Sequence, residues 1–285
     1  MSVLVTGANG FIGKNLVEYL GENGIETVDT ESLGDITDDE CFDKLDLSNL
    51  SCCIHLAAKV FVPDSWKDPS TFYKTNLIGT LNVLELCRRK QIGLVFVSAY
   101  VYGIPEELPI SEESQIVANN PYGHSKLLAE QLCEFYYNNF GVKVSIIRPF
   151  NVYGVGQNEK FLVPHIINQA LSHEFIEVMD LAPKRDYIYI DDLVKAIVSA
   201  MNSDIKFAIY NAGNGKSYSV KEIIDIVQGI VGSSKEVRSK NCSRENEVVN
   251  VVADCQKIKT ELNWMPEYTL VSGLTKMIED MKTKI

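Results

Sequence analysis

Three glycines at fixed spacing, Gly7, Gly10 and Gly13 in TGANGFIG, stand between the short apolar run SVLVTG and the amphipathic stretch FIGKNLVEYLGE. The first run is β-branched and ends in glycine, which reads as a buried strand. The second has Phe11, Ile12, Leu16, Val17 and Leu20 at helical spacing. A glycine-rich turn from strand to helix lets an anionic group approach the backbone and presents it to the free N–H groups of a helix N-terminus. In that context the motif predicts a dinucleotide pyrophosphate site at Gly7, Asn9, Gly10, Phe11, Ile12 and Gly13. The plainer alternative is a glycine turn with no ligand.

The rest of the first half repeats the alternation. IETVDT, CCIHLAA, GLVFVSA and VKVSIIRP read as strands. CFDKL, STFYKTNLIGTLNVLELCRRK and PYGHSKLLAEQLCEFYYNNFG read as helices, the last with Pro121 at its start and Gly141 at its close. This order implies right-handed crossovers and an α/β, doubly wound, mainly parallel sheet of Rossmann type. Beyond about residue 150 the pattern loosens into FLVPHIINQALS, FIEVMD, YIYI, DDLVKAIVSAM, FAIYNAG and VKEIIDIVQGIVG. The expected organisation is a nucleotide-binding domain over 1–150 and a smaller, interwoven substrate lobe over 151–285.

An acid at the end of the second strand would accept the adenosine ribose hydroxyls. Asp29 and Glu31 are the candidates. Either carboxylate repels a 2′-phosphate, which favours NAD(H) and leaves NADP(H) open, since Lys14 is close enough to blunt the repulsion. A solvated strand-end acid is the alternative.

Tyr122 and Lys126 in PYGHSK share one helix face. A free tyrosine is too weakly acidic to act as a base at neutral pH, and a nearby ammonium together with an oxidised nicotinamide is expected to lower it. Such a phenol exchanges a proton with a substrate oxygen while hydride moves. Ser98 closes the preceding strand, where its hydroxyl would hold the substrate oxygen. Tyr-x-x-x-Lys alone is common by chance; behind the glycine loop and a strand-end serine it acquires meaning.

Bulk properties exclude several classes. The net charge of −11 disfavours a nucleic-acid partner. The seven cysteines have no zinc-ligand spacing and sit mostly in apolar runs, so no metal is expected and a reducing compartment is. Neither a secretory signal nor a membrane span is read, and the expected location is cytoplasmic.

On TGANGFIG, GDITD, HLAA, TNLIGTLNVLE, SAYVYG, NPYGHSK, RPFNVYG, KRDYIYIDD and the closing ADCQKIKTELNWMPEYTL, the chain resembles an extended short-chain dehydrogenase/reductase of the NAD-dependent epimerase/dehydratase family, whose members act on nucleotide sugars. The resemblance implies Ser98, Tyr122 and Lys126 as the catalytic residues. It places Asp35 and Ile36 beside the adenine, Leu56, Ala57 and Ala58 along the cofactor groove with Asn76 in support, and Pro149 near the nicotinamide. It gives Ser98, Ala99, Tyr100, Asn151, Arg185, Arg244 and Glu247 to the nucleotide sugar, the arginines to its diphosphate. Guanidinium forks suit that role on an acidic protein. Asn151 could instead cap a turn, and Arg185 could pair with Asp191 or Asp192. A homodimer through the helices at about 70–90 and 122–140 is a further implication, with Leu128, Cys133 and Tyr137 facing either a partner or their own sheet.

Two departures from the family pattern bear on activity. Asp29 and Asp35 stand so close that a helix-strand segment usual between them is nearly absent, which should leave the adenosine end open and the cofactor exchangeable. The 4,6-dehydratases follow the active-site hydroxyl with an Asp-Glu pair; here Ala99 and Tyr100 follow Ser98. Redox at carbon 4 of a hexose is what remains: first a reductase of a dTDP-linked 4-keto-6-deoxyhexose, second a UDP-hexose 4-epimerase with tightly held NAD, third a non-catalytic NAD-sensing protein.

Overall fold

The computed structural model describes residues 2–29, 34–38, 40–43, 49–242 and 248–283, with Asp29 described by its backbone alone. Glu31, Arg244 and Glu247 lie outside the described residues.

In chain order the first half runs β1 (Ser2–Thr6), α1 (Phe11–Glu22), β2 (Glu26–Asp29), β3 (Leu50–His55), α2 (Val62–Lys67), α3 (Pro69–Tyr73), α4 (Gly79–Lys90), β4 (Gly93–Val97), α5 (Pro121–Phe140) and β5 (Val144–Pro149). The second half holds β6 (Asn151–Tyr153), α6 (Leu162–Ser172), β7 (Phe175–Val178), β8 (Lys184–Tyr189), α7 (Ile190–Met201), β9 (Phe207–Ala212), β10 (Ser217–Ser219), α8 (Val220–Val231), β11 (Glu236–Ser239), α9 (Gln256–Leu262) and α10 (Leu270–Thr283).

The main sheet has the order β2-β1-β3-β4-β5-β9, and each neighbouring pair is parallel. Successive side chains point to opposite faces, and both faces are covered. Val3 and Val5 join Leu16 and Leu20 of α1 and Leu193 and Ile197 of α7 in one core. Leu4 joins Phe96, Val83 and Leu84 of α4 and Ala129 and Cys133 of α5 in the other. Near-continuous apolar strands such as SVLV follow from this double burial. The expected doubly wound fold is the one observed.

The sheet takes its sixth strand, β9, from beyond residue 151, where it pairs with β5. The second half adds a small β10-β8-β6 sheet and a parallel β11-β7 pair, packed with α6, α8 and α10. A capping box between Ser219 and Glu222 opens α8.

One sequence expectation is corrected and one open alternative is narrowed. The stretch STFYKTNLIGTLNVLELCRRK is not one continuous α-helix: Lys74–Ile78 form a π-helical turn between α3 and α4. Of the possible dimer-facing residues, Cys133 is fully buried. Tyr137 stacks on Phe207 of its own β9 with ring centres 5.0 Å apart. No helix among the described residues is long and apolar enough to cross a membrane.

Candidate active site

Because the main strands are parallel, their carboxyl ends lie along one edge. The register pairs Val5 with Asp29 and Thr6 with His55, and Val97 with Ile147. Gly7 follows β1, Leu56 follows β3, Ser98 follows β4 and Pro149 ends β5, so these candidates leave from that edge, as expected of a ligand crevice in an open α/β sheet.

The glycine loop is built for close approach. Gly7 has a positive φ of 72°, and a Cβ there would meet the backbone N of Ala57 at 2.8 Å. A Cβ on Gly13 would meet the carbonyl oxygen of Gly7 at 2.1 Å. Gly10, the N-cap of α1, is exposed together with Asn9. No side chain caps that helix start, and its first turn carries no acid. Phe11 and Ile12 in that turn are half-buried against the core. An uncapped helix start behind exposed glycine backbone is a fitting cradle for a cofactor diphosphate.

Around it the groove takes shape. Leu56 and Ala57 donate their backbone N–H groups to Thr6 Oγ1, both at 3.2 Å, and Ala58 follows half-buried. Asp29 ends β2, the sheet's edge strand, and among the described residues no strand lies beyond it. Asp35 is exposed; the N–H of Thr37 donates to its carboxylate and holds it below the usual carboxylate range. Ile36 is buried beside Gly79 at the start of α4, and its carbonyl accepts from Asn82. Asn76, in the π-helical turn, is buried. It donates to the Lys59 carbonyl and Ser125 Oγ and accepts from the Lys59 N–H, tying the groove wall to α5. Pro149 ends β5, buried, opposite Ala212.

Helix α5 carries the candidate catalytic pair, Tyr122 and Lys126. Asn120 caps it by accepting from Gly123 N at 2.8 Å, and Pro121 occupies its first turn. Tyr122 lies edge-on to Phe72 at 6.4 Å. Burial pushes its phenol up to about 12. The expected lowering involves an oxidised nicotinamide beside the phenol; the chain's own residues contribute this rise. Lys126 is buried, and burial pulls its ammonium down to about 7, opposed by Cys133 and Glu130. Its Nζ sits 4.1 Å from the centre of the Phe96 ring.

Ser98 follows β4, as expected, and is buried. Its hydroxyl donates to Glu130, one helical turn beyond Lys126. Glu130 is gripped by Arg148 through Nε at 3.0 Å and Nη2 at 2.6 Å. Arg148 Nη1 also donates to the Tyr102 hydroxyl at 2.9 Å, and Tyr102 donates to Asn211 at 2.6 Å. This buried network was not among the sequence candidates. The available signal was Glu130 standing four positions after Lys126, which continues the Tyr122–Lys126 stripe along one face.

Among the residues expected at the substrate, Ala99 is buried and Tyr100 half-buried, its hydroxyl donating to the Gly103 carbonyl. Tyr100 packs edge-on against Tyr102 and Phe150, each at 5.6 Å. Burial pushes it up to about 12 against the pull of the Arg185 charge, which places that guanidinium within its influence. Arg185 donates to the carbonyls of Lys184 and Val248. The two acids named as its alternative partners have other contacts: Asp191 with Lys276, and Asp192 with the N–H groups of Glu267 and Tyr268. Asn151 donates to the Asp186 carbonyl at 3.2 Å, so its amide also joins β6 to β8. His55 is a packed core histidine, and Trp66 on α2 is 64% exposed. Among the described residues no cluster of His, Cys, Asp and Glu has a metal-binding arrangement.

Comparison with known proteins gives a consistent frame. Residues 3–213 match the sequence model of the NAD dependent epimerase/dehydratase family. A putative UDP-glucose 4-epimerase of Methanocaldococcus jannaschii is 32% identical over 98% of both chains. The GDP-6-deoxy-D-mannose reductase of Pseudomonas aeruginosa is 29% identical over 99% of this chain and 98% of its own. The UDP-glucose 4-epimerase of Thermotoga maritima, solved with UDP-glucose, superposes with a TM-score of 0.93 at 28% identity. That match covers 100% of this chain and 99% of the other. RMD of Pseudomonas aeruginosa, solved with NADPH, gives 0.93 at 27% identity over 100% of both. With a glycine loop, a Tyr-Lys helix and a strand-end serine converging at one sheet edge, the chain belongs to the NAD-dependent epimerase/dehydratase family.

Proposed function

We propose that the protein is an NAD(P)(H)-dependent oxidoreductase acting at carbon 4 of a nucleotide-linked hexose, and that it reduces a 4-keto-6-deoxy sugar such as dTDP-4-keto-6-deoxyglucose. The observation that supports the reductive direction is the edge position of β2 at the adenosine end of the groove, which suits a cofactor that arrives reduced and leaves oxidised, while the half-buried Tyr122 of α5 is the acid offered to the ketone oxygen. The Gly7–Gly13 loop and the first turn of α1 would hold the cofactor diphosphate, with Leu56–Ala58 and Asn76 lining the groove. Bound there, the nicotinamide supplies the hydride to carbon 4. Tyr122 gives its proton to oxygen 4, Lys126 favours the phenolate left behind, and the product is the 4-hydroxy sugar. Tyr100, Asn151, Arg185 and, outside the described residues, Arg244 and Glu247 would take the nucleotide diphosphate.

The edge position of β2 supports an exchangeable cofactor, because no further strand flanks its adenosine side among the described residues. Dehydration has no support: Ala99 brings no acid, and Glu130 is held by Arg148. The outer face of α5, with Phe135 and Phe140 about half exposed, supports a homodimer through α4 and α5.

A second reading, a UDP-hexose 4-epimerase, is favoured by the 32% identical relative of that name. NADH supplied with dTDP-, GDP- or UDP-linked 4-keto sugars separates the two. Stoichiometric loss of the reduced nicotinamide absorbance supports the reductase. Interconversion of UDP-hexoses without net cofactor change overturns it in favour of the epimerase.

A further inference from the structure

Glu130 is a buried carboxylate that the chemistry above does not use, yet it touches Ser98. Tyr122, Lys126 and Glu130 succeed one another at four-residue intervals and therefore share a face of α5. Arg148 clamps the carboxylate with Nε at 3.0 Å and Nη2 at 2.6 Å, and both side chains of the ion pair are within 5% of full burial. Accepting from the guanidinium fork on both oxygens, the carboxylate meets Ser98 as a hydrogen-bond acceptor. A serine hydroxyl has one proton, and that of Ser98 goes to Glu130. What Ser98 retains for the site is its lone pairs.

We infer that Glu130 is a positioning residue that fixes Ser98 as a hydrogen-bond acceptor toward the sugar, so that Ser98 recognises the 4-hydroxyl group and not the 4-ketone. The inference rests on the functional reading above and deepens it. A ketone oxygen only accepts, so it draws its hydrogen bond from Tyr122 alone. Once reduced, oxygen 4 carries a proton that Ser98 can receive. The Ser98–Glu130 contact thus pulls the enzyme-bound equilibrium toward the alcohol by about one hydrogen bond. Arg148, Tyr102 and Asn211 extend the brace across β5 and β9, so the carboxylate does not follow Ser98 if the hydroxyl turns.

The test uses the whole enzyme in excess over dTDP-4-keto-6-deoxyglucose with NADH, reading the on-enzyme equilibrium from the nicotinamide absorbance. In Glu130→Gln the amide oxygen remains with Arg148 and the NH2 group faces Ser98, turning the serine proton outward. The expected result is a shift of about fivefold toward ketone and NADH, absent when the same change is made in a Ser98→Ala background. A shift of equal size without Ser98, or no shift in a folded Glu130→Gln protein, overturns the inference. Should Glu130→Gln not fold, Ser98→Ala alone decides. An unchanged KM for the ketone with a KM for the alcohol raised about fivefold supports an acceptor serine, and a raised ketone KM overturns it. Wild-type enzyme that moves no hydride with any of the nucleotide sugars overturns the functional reading and this inference together. Wild-type turnover with the wrong variant response overturns the inference alone.

Discussion

The ammonium of Lys126 rests 4.1 Å from the centre of the Phe96 ring, and His55 stacks on that ring at 5.6 Å. The charge that is to favour a Tyr122 phenolate is therefore supported by a π face in a buried setting. A desolvated cation–π contact is worth about 2 kcal/mol, and its loss would lower the lysine by roughly one pH unit or more. Since burial already brings Lys126 down to about 7, Phe96→Leu should move the alkaline limb of kcat to lower pH by about that much. A pH profile of the variant, with a thermal melt to confirm folding, checks this. An unmoved limb would show that the ring only fills space.

Replacing the acid itself gives a sharper test. Tyr122→Phe keeps the ring edge-on to Phe72 and removes only the hydroxyl. Turnover should fall on the order of a hundred- to ten-thousand-fold, as for loss of a general acid. NAD(H) affinity, measured by fluorescence titration, should stay within about twofold, because the groove rests on the glycine loop and Asn76. Full activity in the variant would remove Tyr122 from the mechanism.

Much of this site was legible before the fold was known, because its parts are local. Gly7–Gly13 and Tyr122–Lys126 are motifs whose spacing carries their geometry. The sheet edge that gathers them follows from the strand–helix alternation. What was not legible depends on contacts across the fold. Glu130 and Arg148 are eighteen positions apart, and only the adjacency of α5 and β5 makes them a pair. The high Tyr122 value reflects three-dimensional burial, which no spacing reports. Likewise Cys133 and Tyr137 turn inward because α5 packs on its own sheet, a choice that helical periodicity left open.

The two interior glycines of the loop should separate folding from cofactor binding. A methyl at Gly13 would lie 2.1 Å from Gly7 O and 2.6 Å from Ala8 O, both rigid backbone atoms. Gly13→Ala should therefore cost roughly 1–3 kcal/mol of stability and abolish cofactor binding. A methyl at Gly10 meets nothing nearer than Gly7 O at 3.2 Å, and the residue is exposed. Gly10→Ala should melt close to wild type yet weaken NAD(H) by about tenfold or more, since the methyl stands where a diphosphate must approach. Equal losses in the melt for both variants would contradict that division.

His55 makes a prediction about acid stability. Thr6 Oγ1 accepts from the N–H groups of Leu56 and Ala57, so its own proton goes to His55 Nδ1 at 2.6 Å. Nε2–H then faces Thr80 Oγ1 at 3.0 Å, and Thr80 donates to the Asn76 carbonyl at 2.6 Å. A second ring proton would have to enter at Nδ1, against the Thr6 hydroxyl. Burial, with the Lys126 charge adding to it, lowers the imidazole to about 3. The unfolded chain binds a proton near pH 6.5 that the folded chain refuses until near pH 3. The contribution is thus fully present above about pH 6.5 and is lost as pH falls, by up to about 1.4 kcal/mol per pH unit. Urea unfolding at a series of pH values between 4 and 7 should show a shallower slope for His55→Gln than for wild type. Its absolute stability can differ without affecting that comparison. Parallel slopes would mean that His55 already carries its second proton in the fold, and that the directed chain from Thr6 to Asn76 is wrongly drawn.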